Sequence, residues 1–243
     1  MGSAKDILLR PISAQEANAL VKRIHYSGKV VNNSTIHIGV YYNGALEGAM
    51  QFGSSLDKRK IMPLVKGTGW NEFIELNRMA FSDVLPRNSE SRALAIAFRI
   101  LKKHAPHLKW VISFADATQC GDGTIYRAAG FVLTGIKKND QIWVAPEGEH
   151  FSRMSLTDGR SKQEQAKALT LSRGNATKGT HVLETGGASM KVFKEAGFKP
   201  LAGYQLRYVY FLDPTCRVNL TVPELPFSRI QELGAGMYKG EKR

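Results

Sequence analysis

Residues 36–53, IHIGVYYNGALEGAMQFG, constrain the fold more than any other stretch. Two alternating apolar runs flank Asn43-Gly44, the strongest short-range signal for a tight antiparallel hairpin. Before it, Ile7–Ser13 (ILLRPIS) reads as a strand. Ser13 then caps a helix over Ala14–Ile24, with Glu16 at the capping-box position and a glycine stop at Gly28. After it come a basic loop (LDKRKIMPLVKGTGW), a strand (NEFIELNRMAF), the turn LPRNSESR and a helix over Ala93–His104. A buried-type strand ending at Asp116 (KWVISFAD), a helix within GDGTIYRAAGF and a strand from Phe131 complete the run. A hairpin followed by helix crossovers requires an α/β fold: a mixed central sheet flanked by helices.

The second half is looser. QIWVAP offers a strand, Ser161 and Glu164 are spaced to cap a basic helix over residues 161–172, and ASMKVFKEAGF reads as a helix stopped at Gly197. YQLRYVYFL is a strong strand with Leu206, Tyr208, Tyr210 and Leu212 on one face, and the tail beyond it shows no regular pattern. YRAAGF and FKEAGF repeat the same helix-ending chemistry, read as two unrelated helix ends. The expected division is a catalytic core over 1–150, with 151–243 as a basic extension that completes or extends the same domain.

The net charge of +13 is spread along the chain, 17 Lys and Arg falling before residue 131 and 17 after it. A field of that kind suits a polyanion, and nucleic acid is the partner it favours. Lys58, Arg59, Lys60, Arg160, Lys162, Arg173 and Lys178 are the candidate phosphate contacts. Cys120 and Cys216 make neither a disulfide framework nor a metal pair. No signal peptide and no long apolar run is present, which predicts a soluble cytoplasmic protein without membrane contact.

LPRNSESR carries Arg87, Ser89, Ser91 and Arg92 where a helix begins, a place suited to holding an anion. Asp116 ends an apolar strand and Tyr126 lies in the helix that follows, the end of a sheet where ligands collect. If their strands are neighbours, Arg78, Ser89, Ser91, Asp116 and Tyr126 share one cleft, with a carboxylate to take a proton and a phenol to give one. The alternative is that Asp116 only caps a loop and Tyr126 only packs. His25 at a helix end suits the helix dipole, and His37 is a strand residue. Trp110 and Trp143 read as core, whereas Trp70 in its basic loop is a candidate for contact with an unstacked base. No G-x-S-x-G and no Cys/His pairing points to a covalent nucleophile.

IYRAAGF and the element order resemble the GNAT acyltransferases, in which a tyrosine at the matching place protonates a departing thiolate. HYSG (25–28), FIELNRMA (73–80), LPRNSESRAL (85–94), ISFADATQCGDGTIYRAAGF (112–131) and LRYVYFLDP (206–214) together resemble the Mom family of bacteriophage DNA-modification proteins, thought to be GNAT-like. That resemblance implies a phage-encoded enzyme converting DNA adenine to its 6-carbamoylmethylamino form, shielding phage DNA from restriction in the host cytoplasm. It implies an active-site set of Arg78, Ser91, Asp116 and Tyr126, with His25 and Tyr26 nearby, acting on a flipped base. Acyl-CoA loops in GNAT proteins carry glycines that PRNSESR lacks, so side chains must do more of the binding and the donor stays open between an acetyl-CoA-like molecule and another. The unusual chemistry leaves room for an iron ion, with His25, Tyr26 and Asp116 as the ligands at hand, although no ligand spacing supports a metal site. The competing functions are an acyl-CoA-dependent N-acyltransferase on a small molecule or protein, and a noncatalytic DNA-binding protein.

Overall fold

Short-range chemistry sets the first elements. After strand β1 (Leu8–Pro11), helix α1 (Ala14–Ile24) begins with a full capping box. The Glu16 N–H donates to Ser13 Oγ at 3.1 Å and the Ser13 N–H donates to Glu16 Oε2 at 2.8 Å. Its apolar stripe, Ala17, Leu20 and Val21, is buried, with Ala17 and Leu20 packing on Ala49. Strands β2 (Ser34–Tyr42) and β3 (Ala45–Gly53) form the hairpin around Asn43-Gly44. The loop after β3 is more ordered than its composition predicts: Asp57 caps a one-turn helix, α2 (Lys58–Ile61), and a 3-10 turn follows at Met62–Leu64.

The computed structural model describes residues 3–118, 121–157, 165, 189–238 and 241–242. They fall into two compact units, Met1–Ile136 with Leu206–Arg243, and Lys137–Gln205. In the first unit, β4 (Phe73–Phe81), α3 (Ser89–His104), β5 (Trp110–Asp116), α4 (Thr124–Ala128) and β6 (Val132–Lys138) follow in order. The seven-stranded sheet has the order β1-β2-β3-β4-β5-β10-β6, where β10 is Tyr204–Phe211. Neighbours from β1 to β4 are antiparallel and β4–β5 is parallel, so the sheet is mixed. The late strand β10 sits between β5 and β6, an order that no local signal encodes.

Helix α3 starts at Ser89, one turn earlier than the Ala93 start read from sequence. Its first turn is polar, and its N-cap, Asn88, holds φ +70° without a side-chain capping bond. Ala93, Leu94, Ala97, Phe98 and Leu101 are buried, at the i, i+4 spacing of a core-facing stripe. Phe98 stacks on Tyr210 of β10 with ring centroids 4.0 Å apart. Trp110 is fully buried, stacks on Phe73 at 4.5 Å and donates its indole N–H to Thr68 Oγ1 at 3.0 Å. The tail carries a 3-10 turn (Pro214–Asn219), a short helix α7 (Ser228–Glu232) and a minimal hairpin of β11 (Met237–Tyr238) and β12 (Glu241–Lys242), where the sequence showed no pattern.

The second unit holds an antiparallel sheet of order β8-β7-β9: β7 (Ile142–Val144), β8 (His150–Ser152) and β9 (Lys199–Pro200). Helices α5 (Arg153–Thr157) and α6 (Met190–Glu195) accompany it, and Trp143, Phe151, Leu156, Phe193 and Phe198 form its core. The helix read over residues 161–172, with its Ser161–Glu164 box, lies outside the described residues, as do Arg160, Lys162, Arg173 and Lys178.

The two similar helix ends behave identically. Phe131 N–H donates to Tyr126 O and Gly130 N–H to Arg127 O, and Phe198 and Gly197 do the same to Phe193 and Lys194. That is the paired bonding of a Schellman motif, which requires the left-handed φ of +85° at Gly130. In α4 it fixes where Tyr126 sits relative to the next strand.

Candidate active site

The site arises where two parallel strands part. The register of β4 with β5 runs from Phe73↔Trp110 to Glu75↔Ile112 and goes no further, although β4 continues to Phe81 and β5 to Asp116. At the same point β4 bulges: Gln51 pairs with Arg78 and Phe52 with Leu76, leaving Asn77 as an extra residue. A bulge bends its strand and re-aims side chains. Beyond the parting lies a cavity of about 450 Å³. Its walls are His25 and Tyr26 from the end of α1, residues 76–79 of β4, Phe114 and Ala115 of β5, Glu90 of α3, and residues 121–126.

Arg78, Tyr126, His25 and Tyr26 therefore meet in one cavity, drawn from separate parts of the chain. Arg78 Nη1 donates to Asn77 O at 2.7 Å and Nε to Lys29 O at 3.1 Å. These bonds fix the guanidinium although burial lowers its pKa, an effect that the nearby Tyr26, Glu75 and Tyr126 oppose. Burial also raises the Glu75 carboxyl, against the pull of Ser55, Asn77 and Arg78. Burial first, and the Arg78 charge second, push His25 down to about 4.

Tyr126 is held by rings on two sides, Phe131 at 5.1 Å and Tyr208 of β10 at 5.2 Å. Tyr208 also donates its hydroxyl to Asp122 O at 2.5 Å, and burial, with Asp122 and Tyr126 close by, raises its pKa. Its ring lies so close to Gly123, at φ +80°, that a Cβ there would come within 2.5 Å of it. The loop leading into α4 is thereby clamped against the sheet, a role for Tyr208 that the alternating pattern of its strand did not reveal.

Asp116 is placed differently. It is 8% exposed, its neighbour Ala115 is the wall residue, and its Oδ1 accepts from the Thr118 N–H at 3.0 Å and from the Thr118 hydroxyl. The carboxylate caps the turn that follows β5, and Asp116 follows the wall residue Ala115 without lining the cavity itself. The expected cleft also held Ser89, which the structure removes from it. Ser89 is fully buried and donates its hydroxyl to Pro86 O at 2.6 Å, so it stabilises the start of α3 and faces no ligand.

Arg87, Ser91 and Arg92 line a second cavity of about 640 Å³, together with Lys5, Arg99 and residues 128–129. Ser91 donates to Asn88 O at 3.2 Å, and Arg92 Nε is buried with no hydrogen-bond partner among the described residues. An unpaired guanidinium N–H among four cationic side chains suits an anion. Lys5 and Arg99 escaped the sequence reading because one lies far away in the chain and the other three turns into α3. Lys58, Arg59 and Lys60 lie on α2, away from both cavities' walls. There Lys60 pairs with Asp57 at 2.6 Å, and Lys58 Nζ sits 4.9 Å from the ring of Trp70, which is 51% exposed.

Among the described residues no group of three or more His, Cys, Asp or Glu is placed to hold a metal, and of the iron ligands raised from sequence His25 and Tyr26 line the cavity whereas Asp116 does not. His25 already spends Nδ1 on Ser27. No helix among the described residues is long and apolar enough to cross a membrane.

The mixed α/β sheet thus parts around a cavity walled by His25, Tyr26, Phe114 and Tyr126, with a cationic cavity on the other side of the same helices. The chain belongs to the Mom protein family, which it matches over residues 6–229. It is 34% identical over 154 residues to the methylcarbamoylase Mom of Escherichia phage Mu, covering 63% of each chain, so the match spans just under two thirds of that relative. Among solved structures it is similar to an N-acetyltransferase from Staphylococcus aureus Mu50, with TM-score 0.45, 11% identity and coverage of 85% of this chain and 98% of that one. It is also similar to the ribosomal-protein-S18-alanine N-acetyltransferase of Escherichia coli, with TM-score 0.39, 14% identity and coverage of 59% and 88%.

Proposed function

We propose that the protein modifies adenine in DNA, converting the 6-amino group to its carbamoylmethylamino form and so protecting phage DNA from host restriction. The observation that carries this reading is the single cavity joining His25, Tyr26, Arg78 and Tyr126 in a member of the Mom family. The net charge of +13 supports DNA as the partner, and Arg59 and Lys60 offer exposed charge for phosphates.

The exocyclic amine of adenine is paired and stacked in a duplex, so the base must leave the helix at a cost of roughly a few kcal/mol. The aromatic cavity receives it. In the reaction a bond forms from N6 to the transferred carbon, the bond from that carbon to the donor's leaving group breaks, and N6 loses a proton. Asp116, one residue beyond the wall residue Ala115 and oriented by its Thr118 bonds, takes that proton. Tyr126 protonates the leaving group, and Arg78 stabilises the negative charge that develops as the bond breaks. The donor carries the carbamoylmethyl unit on its leaving group through the CH2 carbon, and its anionic part lies in the second cavity against Arg87, Ser91 and Arg92, an arrangement that suits a CoA-like diphosphate without requiring a glycine loop.

Nucleoside mass spectrometry of plasmid DNA from cells expressing the chain tests this. The wild type yields an adenosine heavier by a carbamoylmethyl group. Asp116→Asn lowers its yield by roughly 100-fold or more, the scale of a lost general base, while DNA binding stays at the wild-type level. Unmodified DNA from the wild type contradicts the function; full modification by the variant contradicts the role of Asp116.

A further inference from the structure

His25 has its protonation pattern written by its neighbours. The Ser27 backbone N–H donates to His25 Nδ1 at 3.1 Å, and Ser27 Oγ lies 2.8 Å from the same nitrogen. A backbone N–H can only donate, so Nδ1 carries no proton and the neutral ring holds its proton on Nε2. Among the described residues Nε2 has no hydrogen-bond partner, and His25 lines the aromatic cavity. Burial and the Arg78 charge keep the ring neutral at physiological pH. A neutral imidazole in this tautomer presents one N–H to the cavity; it can give a hydrogen bond from Nε2 but cannot accept a proton there.

The other walls define what receives that bond. Every residue of β5 is buried except Phe114, which is 40% exposed where β4 and β5 part. Tyr26, 51% exposed, lines the same cavity, its ring 4.3 Å from that of His25. Two exposed aromatic rings flanking a cavity suit a flat partner whose faces they can cover. A ligand satisfying both demands is planar, with apolar faces and an acceptor atom at its edge. Purine ring nitrogens are such acceptors.

We propose that His25 recognises the extruded adenine by donating Nε2–H to one of its ring nitrogens, with Tyr26 and Phe114 covering the base. The inference rests on the adenine reading and adds to it a residue that specifies the base. It assigns His25 neither proton abstraction nor metal ligation. A bond to the nitrogen beside C6 would also draw electrons from the 6-amino group and make its proton easier for Asp116 to remove.

Fluorescence anisotropy of a labelled single-stranded oligothymidylate with one central adenine tests this, at salt high enough to weaken phosphate contacts. The adenine is replaced in turn by 1-deaza-, 3-deaza- and 7-deazaadenine, each lacking one ring acceptor. For the wild type, one replacement weakens binding roughly tenfold, the worth of a single hydrogen bond. His25→Gln, whose amide N–H can stand near Nε2–H, keeps that discrimination, and His25→Ala loses it. Equal binding of adenine and all three analogues by the wild type overturns the hydrogen bond. Undiminished discrimination by His25→Ala, or its loss in a folded His25→Gln, overturns the assignment to His25. A wild type that binds the adenine strand no better than plain oligothymidylate contradicts the adenine reading itself.

Discussion

The two cavities share the same helices yet offer opposite chemistry. Glu90 of α3 and Tyr126 of α4 face the aromatic chamber, while Ser91 and Arg92 of α3 and Ala128 of α4 face the cationic one. Successive helical residues point about 100° apart, so one turn of helix can serve as a partition with a different lining on each side. The aromatic chamber holds its one arginine rigidly, through backbone carbonyls, beside a neutral histidine. The cationic cavity gathers Lys5, Arg87, Arg92 and Arg99. One side is made for shape and hydrogen bonds, the other for charge. The proposed transfer to a base from an anionic donor needs both, close together and kept apart.

The sharpest way to break this division is to damage the aromatic side alone. Gly123→Ala places a Cβ within 2.5 Å of the Tyr208 ring at φ +80°, so the loop carrying α4 must move. Displacement of a reacting group by about 1 Å costs roughly 100-fold in rate. Adenosine modification in cells should fall by at least about that factor, while circular dichroism shows a folded protein that still binds anions. Modification at the wild-type level would show that the position of Tyr126 is not critical.

Damage to the cationic side should be milder and of a different kind. Arg87→Ser with Arg92→Ser removes two of the four cations in that cavity. Inorganic pyrophosphate should raise the melting temperature of the wild type by mass action and that of the double variant much less, with binding weakened roughly tenfold, the worth of one charge-assisted hydrogen bond. Affinity for single-stranded DNA containing adenine should stay within about twofold. Equal stabilisation of both proteins by pyrophosphate would remove the anion from this cavity.

The local half of the fold was legible because its signals act over a few residues. Asn43-Gly44 forces a hairpin, and Ser13 with Glu16 closes a capping box, wherever the chain goes next. What was illegible depended on distant partners. WVISFAD reads as uniformly buried, so nothing in it marks Phe114 as the residue uncovered when β4 diverges. SESR reads as a turn because its polarity hides a first helical turn whose cap, Asn88, uses a left-handed backbone rather than its side chain. Ser89 and Ser91 are equivalent in sequence, yet one is sealed beneath the helix and the other lines a cavity. Arg78, Tyr126 and His25 were readable as chemistry through resemblance, whereas their common cavity depends on a bulge and a strand parting that only the sheet shows.

The central claim is that the base enters the aromatic chamber and not the cationic one. Photocrosslinking with single-stranded DNA carrying one 8-azidoadenine, followed by peptide mass spectrometry, tests it directly. The account predicts adducts on the peptides containing Tyr26, Phe114 or Tyr126. Adducts confined to the peptides spanning residues 87–99 would contradict it.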